Sequence, residues 1–392
     1  MKEHMLVLVL AFAGFPWSAF GRVALLLLLT LGPGWSSRAA SHISINSNQV
    51  LVIDGKTVFP IGFTMPPPPD GKTPNGKDAI GELREAGATF LRTGVMGKEW
   101  DNDAITQELR YQDAAAKYGM HCWVFLRELG SIPDGDLKRE AMLRKVVTAL
   151  KSHPGLGVWK GEDEPEWGKR PIPPLVRTRE IIRELDTNHP IAVTHAPRGP
   201  IESLRRYNAA AEITGADIYP IGFPPGAHSL ETNKEISMVG DYTRKMMEVS
   251  EGKIPVWMIL QIAWSGVIKP GKTLGFPTFP EERFMVCEAI ISGARGLIFF
   301  GGHLHQAMTE GDAKLGWNWT FWNRVLRPVI EEIGEKSVLY PALVAPASKL
   351  QLQCNSSDIE FSVREVDERI FILACRPRGG TTQVSFSGLP RR

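Results

Sequence analysis

Leu156-Gly157-Val158-Trp159-Lys160-Gly161-Glu162-Asp163-Glu164-Pro165 runs from apolar to acidic and stops at a proline. A short apolar run of this kind suits a strand buried in a covered sheet, and the proline ends its hydrogen-bond ladder. Seven other runs share the form. They begin near Phe59 (FPIGFT), Thr89 (TFLRTG), Met120 (MHCWVFL), Pro190 (PIAVTH), Ala216 (ADIYPIGF), Val256 (VWMILQIAW) and Gly296 (GLIFFGG). Successive starts lie 26 to 40 residues apart, and most gaps hold helix-period segments: 78–86, 104–118, 137–151, 174–185, 234–250 and 281–292. Strands alternating with helices imply parallel βα units. Eight units predict an α/β fold, a closed (β/α)8 barrel, because an open doubly wound sheet should carry a glycine-rich dinucleotide loop after its first strand. FPIGFTMPPPPDGK is no such loop, so no cofactor is expected, and its four prolines suit a stiff segment at the barrel rim.

Outside the barrel the rhythm changes. Residues 43–53 alternate apolar and polar before Asp54-Gly55, a hairpin signal that opens the barrel segment 43–340. A long loop (301–316) and a Trp-rich helix (317–333) follow the eighth run. Within 348–387 the strings LQLQC, IEFSVREV, RIFILACR and TQVSFSG alternate with period two, predicting a small antiparallel β module, sandwich-like, over 345–392.

Composition narrows the function. The 392 residues are 43% hydrophobic and 22% charged, an ordinary globular balance. Net charge is +2, but residues 1–39 hold Lys2, Arg22 and Arg38 against Glu3, which leaves the rest near neutral and without a nucleic-acid footprint. Four cysteines are too few for a disulfide framework; Cys354 and Cys375 could pair, though unpaired thiols are the preferred reading. Two apolar stretches, 5–20 and 23–31, precede Ser37-Arg38-Ala39, a small-x-small cleavage pattern. Residues 1–39 are therefore expected to be a signal peptide and the mature protein to be secreted or periplasmic. Pro16, Gly21 and Arg22 interrupt the first 31 residues, neither run reaches the ~20 apolar residues of a bilayer span, and no later segment does, so no stable membrane insertion is expected after cleavage.

In a barrel of this kind chemistry gathers at the C-terminal ends of the strands. Those ends carry Arg92, Glu128, Glu162-Asp163-Glu164, His195, Asp217, Tyr219, Gln261, Trp264, His303 and His305. A carboxylic acid between Trp159 and Trp167, next to a proline, can be shielded enough to act as a general acid. Arg92 closing strand two and Asp163-Glu164-Pro165 closing strand four resemble the large clan of (β/α)8 glycoside hydrolases, over roughly residues 43–340. The resemblance implies that Glu164 is the acid/base, that Asp163 stands where an asparagine would contact the sugar 2-hydroxyl, and that Arg92 supports the catalytic carboxylates. It also makes Tyr219 similar to a strand-six tyrosine facing the nucleophile.

One position departs from that pattern. The strand-seven nucleophile would stand at Gln261, and glutamine cannot form a glycosyl ester. The second carboxylate is then open, with Glu128, Glu162 and Asp217 the candidates. A substrate acetamido group or a tyrosine could serve instead, or the barrel could bind sugar without cutting it. Tryptophans support a carbohydrate partner, since indole faces stack on pyranose rings. Trp159, Trp167 and Trp264 are read as binding residues and Trp123, Trp257 and Trp322 as core. His195, His303 and His305 are read as cleft residues that hydrogen-bond sugar. A metal-dependent hydrolase would want His-x-His on strand one, where this chain has Phe63-Thr64-Met65, so no metal is expected. A Ser-His-Asp triad lacks its Gly-x-Ser-x-Gly elbow.

Overall fold

The structure is a computed structural model that describes residues 7–11, 40–196, 198–222, 230–263 and 276–390. Eight parallel strands close into a barrel in sequential order. They are β1 (Ile61–Thr64), β2 (Phe90–Gly94), β3 (His121–Phe125), β4 (Leu156–Asp163), β5 (Ile191–His195), β6 (Ile213–Asp217), β7 (Val256–Gln261) and β8 (Gly296–Phe300). The sixth begins three residues before Ala216 and ends at Asp217, so Tyr219 lies just beyond it. Its opening triplet Ile213-Thr214-Gly215 is too mixed to stand out as an apolar run.

Helices cover the outside: α1 (Ala79–Ala86), α2 (Asn102–Lys117), α3 (Leu137–Leu150), α4 (Ile172–Leu185), α5 (Ile201–Arg205), α6 (Met238–Ser250) and α7 (Phe279–Ile291). Their starts follow capping chemistry. The Asp78, Asp101 and Asp136 carboxylates accept from the backbone at the heads of α1, α2 and α3, and Thr278 and Glu281 form a reciprocal capping box on α7. Each such cap stabilises its helix by about 1 kcal/mol.

Alternation along the strands sorts side chains into two cores. Outward residues such as Phe63, Leu91, Val124, Trp159, Leu260 and Phe299 pack under the helices. Inward residues Phe90, Trp123, Val158, Ala192, Ile213, Trp257, Ile259 and Ile298 fill the barrel. The N-terminal end is stoppered by a three-stranded antiparallel sheet (Ile43–Ile45, Leu51–Ile53, Lys56–Val58), whose Ile43, Leu51 and Ile53 join that inner core. Asp54 and Gly55 turn it with positive φ of 49° and 82°, the conformation expected of this dipeptide in a two-residue hairpin. The apolar plug closes the N-terminal end of the barrel.

Beyond the barrel, a helical segment over 319–333 carries Trp319 and Trp322 into the outer core. The C-terminal strands form an antiparallel hairpin (Glu360–Val366 with Arg369–Cys375) and a two-stranded pair (Gln353–Cys354 with Phe386–Ser387). Val7–Ala11 runs antiparallel along the outer edge of Arg369–Cys375. All four cysteines are free; the Cys375 thiol donates to the buried Glu288 Oε2 at 2.6 Å. Among the described residues no helix is long and apolar enough to cross a membrane.

Candidate active site

The bend that builds the site is in β4. Lys160 pairs with Ala192 and Asp163 with Thr194, so three steps along β4 match two along β5. A bulge of this kind adds one residue and reverses the inward-outward parity beyond it. Glu162, which strict alternation would aim into the barrel, is turned aside, and Asp163 faces the mouth. Glu164 then takes a positive φ of 47°, a strained conformation for a non-glycine residue, while its N–H donates to Thr194 O at 2.8 Å.

The result is a pocket of about 250 Å³ lined by Thr64, Arg92, Trp123, Lys160, Asp163, Glu164, Thr194, Asp217, Tyr219, Ile259 and Phe300. All eight strands contribute to this lining. Among the expected residues, the structure brings Arg92, Asp163, Glu164, Asp217 and Tyr219 together here.

Three carboxyl groups share the pocket in two electrostatic states. Burial, the Asp163 charge and Asp217 itself govern Glu164: burial and Asp163 push its carboxyl up, and a hydrogen bond with Asp217 tempers the shift. Asp217 is buried (7% exposed) and is driven well above the usual carboxylate range by burial, then by Glu164 and Asp163, while the Tyr219 hydroxyl hydrogen-bonds to it. Asp163 goes the other way. Burial would raise it, but the Lys160 ammonium, with which it is ion-paired, and Arg92 outweigh burial and hold it low. Half of its side chain (49%) is open to solvent, so the contact with Lys160 rather than burial sets its direction.

Lys160 was not singled out from the sequence. It is 3% exposed, its Nζ lies 4.5 Å from the centroid of the Phe125 ring and 5.7 Å from that of Trp123, and burial lowers its ammonium. A lysine in the middle of an apolar strand, with the same parity as the inward Val158, was the available signal. Thr64, Thr194 and Phe300 were also missed; Phe300 stacks on Tyr219 at 5.1 Å.

Other expected residues lie elsewhere. Glu128 and Glu162 line a separate pocket of about 430 Å³ with Arg127, Arg139 and Arg170. Glu128 Oε1 accepts from Trp100 N at 2.7 Å, and Glu162 approaches Arg170 at 3.9 Å. Neither shares the Glu164 pocket. Trp159 is a core residue, fully buried and donating from its indole to Asp186 Oδ2 at 2.8 Å, because its parity points it toward the helices. His195 likewise faces outward, 1% exposed beside Tyr207, with neither ring nitrogen partnered; burial depresses it to about 3 and keeps it neutral.

Gln261 points inward but does not line the pocket. It is fully buried, its Oε1 accepts from Ile221 N at 2.9 Å, and its Nε2 donates to Ile221 O at 2.7 Å. Both ends of the amide are occupied in fixing the segment after β6. At the rim, His303 packs edge-on against Phe300 at 5.6 Å and is pushed down to about 4 by burial, then Arg92; His305 is exposed. Trp167 is 54% exposed beside the mouth, with the Arg198 guanidinium 3.9 Å over its ring. Trp264 lies outside the described residues. Trp123, expected as core, is buried yet forms part of the pocket floor. A larger concavity of about 450 Å³ on the C-terminal module, between Ile359 and Val384, holds Arg376 but no carboxylate and is a weaker candidate for this chemistry. Among the described residues no group of three or more His, Cys, Asp or Glu could hold a metal ion.

Several solved structures share this architecture. A glycoside hydrolase family 5 mannosidase from Rhizomucor miehei is 12% identical with a TM-score of 0.52, covering 74% of this chain and 96% of its own. A structure described as a glycoside hydrolase is 14% identical with a TM-score of 0.55, covering 86% and 83%. A glycoside hydrolase family 5 protein from Bacteroides vulgatus is 15% identical with a TM-score of 0.50, covering 69% and 64%. At such identities the likeness shows the fold alone, a (β/α)8 barrel. No protein-family model matches the sequence, and no curated protein is similar to it.

Proposed function

We propose that this protein is a glycoside hydrolase cleaving O-glycosidic bonds in a poly- or oligosaccharide, with Glu164 as acid and Asp217 as the second carboxylate. The supporting observation is that Glu164 and Asp217 line one pocket and are both raised, beside an Asp163 held low by Lys160. Two carboxyl groups sharing a buried site resist ionising together, so the pair keeps one proton between them at a pH where Asp163 has none. That proton is the one a leaving glycosidic oxygen needs. Once Glu164 has donated it, Asp217, steadied by the Tyr219 hydroxyl, is the ionised partner beside the reacting carbon. In such hydrolases a carboxylate separation of about 5–5.5 Å goes with retention and about 6.5–9.5 Å with inversion.

Trp167 offers an exposed indole face at the mouth for a further sugar ring. Residues 1–39 are read as an export signal, which places the protein outside the cytoplasm. The test is release of reducing sugar from a polysaccharide panel by the wild type, Glu164→Gln and Asp217→Asn. Turnover lost in both variants supports the assignment, and the anomeric configuration of the product then distinguishes nucleophile from base. The buried, fully engaged Gln261 favours a second reading, a barrel that binds sugar without cutting it. Glycan binding unchanged in Glu164→Gln, with no turnover from the wild type, would establish that reading instead.

A further inference from the structure

Among the described residues Arg92 is a buried cation without an ion-pair partner. It is 5% exposed and lines the pocket, yet its Nε has no hydrogen-bond partner, Nη2 reaches only the Met96 Sδ at 3.7 Å, and its guanidinium lies 5.1 Å from the Phe125 ring centroid. Among the described residues it makes no ion pair. Lys160, its neighbour on the floor, is committed to Asp163. A guanidinium buried without an anion is costly, and the strand-seven position whose carboxylate Arg92 would support is the neutral Gln261, bound to Ile221. Thr64 adds a second orphan. It is the register partner of Arg92 across the β1–β2 ladder, 3% exposed, lines the same pocket, and its Oγ1 has no partner.

We infer that the substrate supplies the missing anion: the pocket takes a saccharide bearing a carboxylate, a uronic acid, whose oxygens accept from Arg92 and Thr64. This rests on the saccharide reading of the site. The planar five-donor fork of arginine matches a carboxylate, and a hydroxyl beside it can complete the cradle. Placement keeps the ligand's charge from the acid pair. Arg92 and Thr64 stand on β2 and β1, while Asp217 stands on β6, which is opposite β2 in an eight-stranded closed barrel. Asp163 is already matched by Lys160. The Glu164–Asp217 pair, holding one proton, leaves one negative charge, which Arg92 balances only from across the pocket; a bound carboxylate gives Arg92 a partner at contact.

The experiment is calorimetric titration of the full-length protein, in a Glu164→Gln background, with oligogalacturonate, a glucuronate-containing oligosaccharide, neutral gluco-, manno- and galacto-oligosaccharides of equal length, and a 6-sulfated galacto-oligosaccharide. At least tenfold tighter binding of a uronate chain is expected, reduced to parity with the neutral chains in Arg92→Gln and weakened several-fold in Thr64→Val. Thermal unfolding checks that each variant is folded, and Thr64→Val, nearly isosteric, serves if Arg92→Gln is not. Neutral chains binding as tightly as uronates, a preference for the sulfated chain, a preference that survives these variants, or no binding of any chain overturns the inference. Hydrolysis by the wild type is scored separately. Uronate binding without cleavage would sink the hydrolase reading and leave this one, whereas cleavage of neutral chains alone would do the reverse.

Discussion

Gln261 grips both polar groups of Ile221, accepting from its N–H at 2.9 Å and donating to its carbonyl at 2.7 Å. The residue at the position expected for a nucleophile is thus a bracket for the segment that follows Asp217 and Tyr219. Gln261→Glu, which would look like restoring a catalytic carboxylate, removes the donor and sets an anion against the Ile221 carbonyl. The expected outcome is a loss of stability of about 1–3 kcal/mol without gain of turnover. Denaturant unfolding and a reducing-sugar assay check both parts; a faster enzyme of unchanged stability would refute the bracket.

The acid pair makes stability depend on pH in a definite direction. A carboxyl raised in the folded state binds its proton more tightly than the unfolded chain does, so stability falls as pH rises from the ordinary carboxylate range up to the raised value. Glu164 and Asp217 are both raised. Asp217→Asn removes one of these groups, so its unfolding midpoint relative to wild type should climb as pH rises above the ordinary carboxylate range. Parallel curves above that range would contradict the shared proton.

Asp163 has the opposite sign. Held low by Lys160 and Arg92 against the effect of burial, it contributes stability above the ordinary aspartate range, which is lost as pH falls through its depressed value. Asp163→Asn leaves the Lys160 ammonium buried without its partner. Because half of the Asp163 side chain is exposed, the expected cost is about 1–2 kcal/mol, below the 3–5 typical of a fully buried pair. Lys160→Met in the same background should recover part of it, measurable as a double-mutant cycle.

Trp167 is 54% exposed, with Arg198 stacked over its ring. Trp167→Ala should alter stability by only about 0.5 kcal/mol, while raising KM for a long saccharide several-fold and leaving kcat nearly unchanged. An unchanged KM would remove Trp167 from the binding surface.

Export is checked by the mass of the protein recovered outside the cytoplasm, which should begin at residue 40. Cleavage there would also remove Val7–Ala11 from the edge of Arg369–Cys375.

Much of the barrel was readable because most strands are short apolar runs and most gaps between them hold helix-period segments. The site was readable where a residue closes a strand and points inward, as Arg92 and Asp217 do. It was obscured by the bulge between Lys160 and Asp163, which has no residue signature and sends Glu162 to a different pocket. Parity could have corrected two assignments. Trp159 and His195 share the outward face with Leu91 and Val124, while Lys160 shares the inward face with Val158. The engagement of Gln261 was hidden because its partner is backbone, forty residues away in sequence.

If Glu164 and Asp217 act as one proton-holding pair, the pH profile of kcat/KM for saccharide hydrolysis reports their shared proton. A fall in activity on the alkaline side, as the shared proton leaves, is expected in the wild type, with activity reduced by about 10² or more in both Glu164→Gln and Asp217→Asn. Full activity in Asp217→Asn with an unshifted alkaline limb would contradict the pair.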